Sequence, residues 1–159
     1  MLAQALVPEL LRRGHSVEAP TRSELDVTDE AAICARILQM RPDAVVQCAA
    51  FTAVDAAEER EEEAFRVNAE ATAHAASACH KIGAALVYPS TDYVFAGNGR
   101  RPYRPDDPTD PVNAYGRSKL AGEEAARGAG RWVLGAAFYL LPHRPRTTRF
   151  MQLILFDDE

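Results

Sequence analysis

The sequence is poor in the residues that build disulfide frameworks and metal sites. Its three cysteines are odd in number and form no Cys-x-x-Cys pair, and its four histidines lie apart without ligand spacing. We therefore expect free thiols and no bound metal. No apolar run approaches the roughly 18 residues of a membrane-spanning helix. The net charge of −5 also predicts no basic surface. We thus expect a cytoplasmic protein that binds neither membrane nor nucleic acid.

Lysine is scarce as well. The chain has 16 arginines but only two lysines, Lys81 and Lys119. Lys119 follows Tyr115 by one helical turn if residues 114–127 are helical, so the two side chains share a face. A nearby ammonium group favours the tyrosinate and lowers the tyrosine pKa. We expect this pair, with the Thr91 hydroxyl, to exchange a proton with a carbonyl or alcohol. A Tyr-x-x-x-Lys pair alone is a weak motif, and chance is the alternative.

Helices and strands alternate along the chain. The periodicity predicts helices over 2–13, 28–40, 61–82 and 114–127, and strands over 16–19, 43–48, 84–89 and 131–138, with a loop at 96–113. This alternation indicates an α/β fold with a doubly wound, Rossmann-type parallel sheet. Ligands of such sheets bind at the carboxyl ends of the strands. The sequence therefore predicts a site at Ala50–Thr52 and Thr91.

Several further motifs come in a fixed order over about residues 1–134. They are Leu25-Asp26-Val27-Thr28-Asp29, the run from Cys48 to Glu58, Val67-Asn68-Ala69, the run from Ser90 to Phe95, Tyr103 with Asp106-Asp107, and the run from Tyr115 to Glu123. Together they resemble the extended short-chain dehydrogenase/reductase superfamily, and within it the dTDP-4-dehydrorhamnose reductases.

The resemblance implies an oxidoreductase of deoxysugar biosynthesis. It would use NADPH or NADH to reduce the 4-keto group of a dTDP-linked 6-deoxyhexose, turning dTDP-4-dehydrorhamnose into dTDP-rhamnose. Tyr115 would be the catalytic acid, and Lys119 would lower its pKa and hold the nicotinamide ribose. Thr91 would be the catalytic Ser/Thr partner, with Ser90 as the alternative. The partner is a nucleotide-linked sugar, and a homodimer is possible.

The resemblance also implies where the cofactor and sugar bind. Asp26 and Val27 would lie beside the adenine, although this segment also suits a helix start capped by Thr28. The strand-end residues against the cofactor ribose and phosphate would be Ala50, Phe51 and Thr52, while Asp92 would contact substrate. Asn68 is expected to make buried hydrogen bonds, because asparagine is unfavourable within a helix. The acidic run 58–63 is expected to be a solvated helix start.

A Gly-rich turn before the first helix is absent from the sequence, since none of its nine glycines precedes that helix. By resemblance, the first strand with its Gly-rich turn and the C-terminal substrate domain are missing. We expect residues 1–138 to be a partial NAD(P)-binding domain and 139–159 a divergent tail. Two strands should then keep unpaired edges, and cofactor binding should be weak. The alternatives are an inactive fragment, another nucleotide-sugar epimerase or reductase, or a non-catalytic protein like the regulatory subunit of methionine adenosyltransferase.

Overall fold

The computed structural model describes residues 2–136 and 152–155, and its sheet has five parallel strands. The strand order is β1–β5–β2–β3–β4, where the strands are β1 (Ser16–Glu18), β2 (Ala44–Val46), β3 (Ala85–Ser90), β4 (Trp132–Ala136) and β5 (Gln152–Leu155). The predicted doubly wound parallel sheet is confirmed. The strands predicted over 43–48 and 84–89 are β2 and β3, and they are parallel neighbours.

Helices precede β1 and lie between the strands from β1 to β4. They are α1 (Leu2–Arg12), α2 (Glu30–Met40), α3 (Val54–Glu59), α4 (Glu61–Phe65), α5 (Ala71–Ile82) and α6 (Ala114–Arg127). A π-helical turn, Arg66–Glu70, joins α4 to α5, so the single helix predicted over 61–82 is interrupted. Gly83 ends α5 in the left-handed region at φ 72°. Within the described ranges, no helix is long and apolar enough to cross a membrane.

The two faces of the sheet carry separate apolar clusters, because successive strand residues point to opposite sides. On one face, Val45 and Leu86 pack with buried residues of α2 and α5 such as Ile33. On the other face, Ala44 and Val46 pack with Ala3 and its half-buried neighbours on α1. Helices therefore cover both faces, which explains why β2 is buried along its whole length.

Strand β5 lies inside the sheet, between β1 and β2, although it comes from the predicted tail. It pairs in parallel with β1 on one side and with β2 on the other. The expectation that two strands keep unpaired edges near the sheet centre is wrong at this position, because β5 occupies it. Residues 137–151 and 156–159 lie outside the described residues. They include most of the tail and the last two residues of the predicted strand 131–138.

The start of α2 differs in one detail from the prediction. Asp29, not Thr28, is the capping residue, and its side chain accepts a hydrogen bond from the backbone N of Ala32 at 3.0 Å. Thr28 instead donates its backbone N–H and its hydroxyl to Asp26 at 2.9 and 2.8 Å. The segment before α2 is therefore a hydrogen-bonded turn followed by a cap.

Candidate active site

The first turn of α6 is fixed by two side chains from outside the helix. The Asn113 side chain accepts a hydrogen bond from Gly116 N at 2.7 Å, and Glu58 accepts one from Ala114 N at 2.7 Å. The expectation that the acidic run 58–63 is merely solvated is therefore wrong for Glu58, which ties α3 to α6. Capping satisfies backbone N–H groups that a helix start leaves unpaired. Both caps hold the turn that carries Tyr115.

Tyr115 lies beside the carboxyl end of β3. It is half-buried, and its ring meets the ring of Tyr93 edge-on, with centroids 5.7 Å apart and planes at 74°. Burial raises the pKa of Tyr115 above its ordinary value, while hydrogen bonding to the Thr91 side chain lowers it and the nearby Asp92 raises it. The sequence predicted a lowered pKa. That direction is wrong in this structure, because desolvation is the larger effect.

Lys119 follows one turn later on α6 and is almost completely enclosed, with 3% of its surface exposed. Its Nζ donates a hydrogen bond to the backbone O of Pro89 at 2.6 Å and lies 4.0 Å from the centroid of the Tyr88 ring. Burial lowers the pKa of Lys119 to about 7. The ammonium group is thus directed at the end of β3.

Ser90 and Thr91 have different partners, although they are adjacent. Ser90, the last residue of β3, is buried and donates its hydroxyl to Glu123. Thr91 is half-buried and interacts with the Tyr115 side chain. The structure therefore brings Thr91 together with Tyr115, while Ser90 points to the opposite side, as neighbouring residues of an extended strand do.

Asn68, in the π-helical turn, joins the loop after β2 to the helix of Tyr115. Its Oδ1 accepts from Phe51 N at 2.8 Å, and its Nδ2 donates to Phe51 O at 3.1 Å and to Ser118 Oγ at 2.9 Å. The Ser118 hydroxyl donates in turn to Tyr115 O at 2.8 Å. The predicted buried hydrogen bonding of Asn68 is confirmed. Its part in positioning the site was missed, and the only signal was an asparagine among apolar helix residues.

The residues expected to bind the cofactor lie in two loops. Ala50 and Phe51 are half-buried and Thr52 is exposed, directly beyond the carboxyl end of β2. In the loop before α2, Asp26 is exposed, and its hydrogen bonds from Thr28 hold the pKa of its carboxyl below the ordinary value.

The other two predicted contact residues differ in how they are placed. Val27 is buried in the core, so its side chain packs against other core residues and does not project toward a ligand. Asp92 is exposed beside Thr91, whose hydroxyl donates to it at 3.2 Å. Asp92 therefore remains open to a ligand at the end of β3.

A parallel Rossmann-type sheet with a threonine, a tyrosine and a lysine at the end of an inner strand defines the extended short-chain dehydrogenase/reductase class. The family described as RmlD substrate binding domain matches residues 1–135. The chain belongs to this family. A dTDP-4-dehydrorhamnose reductase of Streptomyces griseus is 51% identical to it over 125 residues, which cover 79% of this chain and 41% of that protein.

Solved structures also include dTDP-4-dehydrorhamnose reductases that are similar to this chain. The dTDP-4-dehydrorhamnose reductase of Bacillus anthracis, determined in complex with NADP, has a TM-score of 0.69 and 35% identity, covering 71% of this chain and 41% of that one. The Bordetella bronchiseptica enzyme WbmG has a TM-score of 0.75 at 23% identity, covering 84% and 48%, and supports the fold alone. The chain spans about two fifths of the length of the reductases that it matches.

Proposed function

We propose that this chain is part of an NADPH- or NADH-dependent reductase of a dTDP-linked 4-keto-6-deoxysugar, with dTDP-4-dehydrorhamnose as substrate. The observation that carries the proposal is the placement of Tyr115 beside Thr91 at the carboxyl end of β3, on the helix that also carries Lys119. The relatives described above bear reductase names, which favours catalysis over a regulatory role. Residues 1–138 would form the cofactor-binding part.

In the proposed reaction, the sugar C4 oxygen lies between the hydroxyl groups of Tyr115 and Thr91. Tyr115 donates its phenolic proton to that oxygen as C4 is reduced, and Thr91 holds the oxygen by a hydrogen bond. The raised pKa of Tyr115 keeps the phenol protonated and able to act as the acid. Asp92, exposed beside Thr91, is placed to contact the sugar.

The residues of this chain fit part of a nicotinamide cofactor, namely its ribose and adenine groups. Half-buried Ala50 and exposed Thr52 are small residues directly beyond the carboxyl end of β2, where ligands of such sheets bind, and Phe51 lies between them. Lys119 would hold the nicotinamide ribose, and Asp26 and Val27 would lie at the adenine. The cofactor would supply the hydride that C4 gains.

A chimera tests the proposal. The matched residues of this chain replace their counterparts in the Streptomyces griseus reductase, and consumption of NADPH is followed with dTDP-4-dehydrorhamnose. We expect the chimera to turn over. Tyr115→Phe in the chimera should lower kcat by roughly 100-fold or more, because the proton donor is lost, while NADPH affinity stays nearly unchanged.

Tyr93→Phe is the matched control, since Tyr93 contacts the Tyr115 ring edge-on and is more exposed. It should keep most of the turnover. A Tyr115→Phe chimera as active as its parent would refute the role of Tyr115. A folded chimera that binds NADPH but reduces no dTDP-4-keto sugar would refute the proposed function.

A further inference from the structure

A buried tyrosine lies against the ammonium group of Lys119 and has no part in the proposed reaction. Tyr88, on β3, is only 1% exposed, and the centroid of its ring lies 4.0 Å from Lys119 Nζ. The face of an aromatic ring attracts a cation, most strongly where water is excluded. Lys119 is itself almost completely enclosed, so this contact is shielded from water.

The Tyr88 ring is fixed by what surrounds its hydroxyl group. That hydroxyl donates a hydrogen bond to Asn68 O at 3.0 Å and lies 3.5 Å from Lys119 O. Gly122, on α6, packs directly against it, since a Cβ at Gly122 would overlap the hydroxyl oxygen. The ring is therefore held between β3, the π-helical turn and α6. A ring held in this way can define where the ammonium group rests.

The residue after Tyr88 supplies a second contact. Lys119 Nζ donates a hydrogen bond to Pro89 O at 2.6 Å. In the part of the chain that the structure describes, no carboxylate forms a salt bridge with Lys119. The Tyr88 ring and the Pro89 carbonyl together form a seat for the ammonium group. An ammonium group has three N–H donors and Pro89 takes one, so donors remain for a ligand.

We propose that Tyr88 is a positioning residue, whose ring holds the ammonium group of Lys119 at the end of β3, where the nicotinamide ribose would bind. The ring is enclosed in the core, so it acts through Lys119 and meets no ligand itself. This role rests on the proposed function, in which Lys119 holds that ribose. The two tyrosines then have separate tasks: Tyr115 donates the proton, and Tyr88 fixes the lysine.

The scarcity of lysine makes the seat directly observable by NMR. In the chain labelled with ¹³C-lysine, only Lys81 and Lys119 give ε-methylene signals, and exposed Lys81 is the internal reference. Spectra are recorded about one pH unit below the pKa of about 7 that burial gives Lys119, where the ammonium form predominates. Protons over the face of a ring resonate upfield. We therefore expect the Lys119 signal upfield of the Lys81 signal, with a nuclear Overhauser effect to the Tyr88 ring.

Two variants separate the ring from the hydroxyl. Tyr88→Phe keeps the ring and should keep the upfield position of Lys119, whereas Tyr88→Leu should move the Lys119 signal to the position of Lys81. A parent chain in which Lys119 and Lys81 resonate together overturns the proposal, and so does an unchanged Lys119 signal in Tyr88→Leu. Should Tyr88→Leu fail to fold, the parent chain and Tyr88→Phe decide by the same signals.

The chimera described above gives the functional readout. Tyr88→Leu should raise the KM for NADPH roughly 10-fold, as expected for the loss of a shielded cation–π contact. The loss should fall on KM more than on kcat, because Tyr115 still donates the proton. Tyr88→Phe should restore a KM close to that of the parent. Leu86→Ala is the matched control, since it truncates a buried side chain two residues earlier on the same face of β3, and it should leave KM unchanged.

A merely structural role of Tyr88 would lower the active fraction, and hence kcat, in Tyr88→Leu and Leu86→Ala alike. A KM for NADPH that is unchanged in Tyr88→Leu, or raised equally in Tyr88→Phe, overturns the proposal. A folded parent chimera without reductase activity refutes the proposed function alone, and the lysine signals then decide about the role of Tyr88.

Discussion

Truncation of Asn68 should be one of the most damaging single changes in this chain. Asn68→Ala removes three side-chain hydrogen bonds, two to the backbone of Phe51 and one to the Ser118 hydroxyl. A net value of about 1 kcal/mol per bond predicts a loss of about 3 kcal/mol in the free energy of unfolding. The residue is fully buried, so water cannot replace the lost partners without rearrangement.

Urea unfolding followed by circular dichroism measures this loss. The matched control is Thr72→Val, which keeps the side-chain shape and removes the bond from Thr72 Oγ1 to Asn68 O at 2.8 Å. It should cost about 1 kcal/mol. Hydrogen exchange gives a local readout, because the amide of Phe51 should lose its protection in Asn68→Ala. If Asn68→Ala cost no more than Thr72→Val, or if the Phe51 amide stayed protected, the bridging role argued for Asn68 would be refuted.

Two further predictions concern α6. The pKa of Lys119 is about 7 in the folded chain, against an ordinary value of 10.5, so the unfolded chain binds more protons between these values and stability rises with pH across that window. Lys119→Met should flatten this rise in thermal unfolding scans, and a slope equal to that of the parent would contradict the burial argument. Gly122→Ala should destabilise by about 2 kcal/mol in urea unfolding, because a Cβ there overlaps Tyr88 and the Asn68 carbonyl. Gly128→Ala should be nearly neutral, because Gly128 already has a right-handed φ of −63°. Equal losses of stability in Gly122→Ala and Gly128→Ala would show that Gly122 is not a point of close contact.

Local patterns predicted the regular elements well. Helix α6 was predicted over 114–127 and spans Ala114–Arg127, where Asn113 caps its start and Gly128 its end. The strands β2 and β3 were predicted because each is a short apolar run of the sequence. These features depend on residues close together in the sequence, which is why they can be inferred from it.

The features that were missed depend on distant partners. The π-helical turn around Asn68 follows from bonds to Phe51 and Ser118, which helical periodicity does not encode. The pKa of Tyr115 rises because of burial, a property of the packed site, and Lys119 turns toward Pro89. Helical spacing placed Tyr115 with Lys119, and the topology of the sheet placed Thr91 with Ala50–Thr52. The roles of these residues came from the motif resemblance.

The position of β5 has a consequence for how the protein folds. In the described sheet β1 pairs only with β5, and β5 is the only link between β1 and β2. Strands β2, β3 and β4 can therefore pair as soon as residues up to Ala136 have left the ribosome, whereas β1 must wait for Gln152–Leu155. Contacts between residues so far apart in sequence form slowly, because a long loop has to close first. Until that moment the nascent chain exposes one edge of β2, which gives chaperones and neighbouring nascent chains a transient strand to bind.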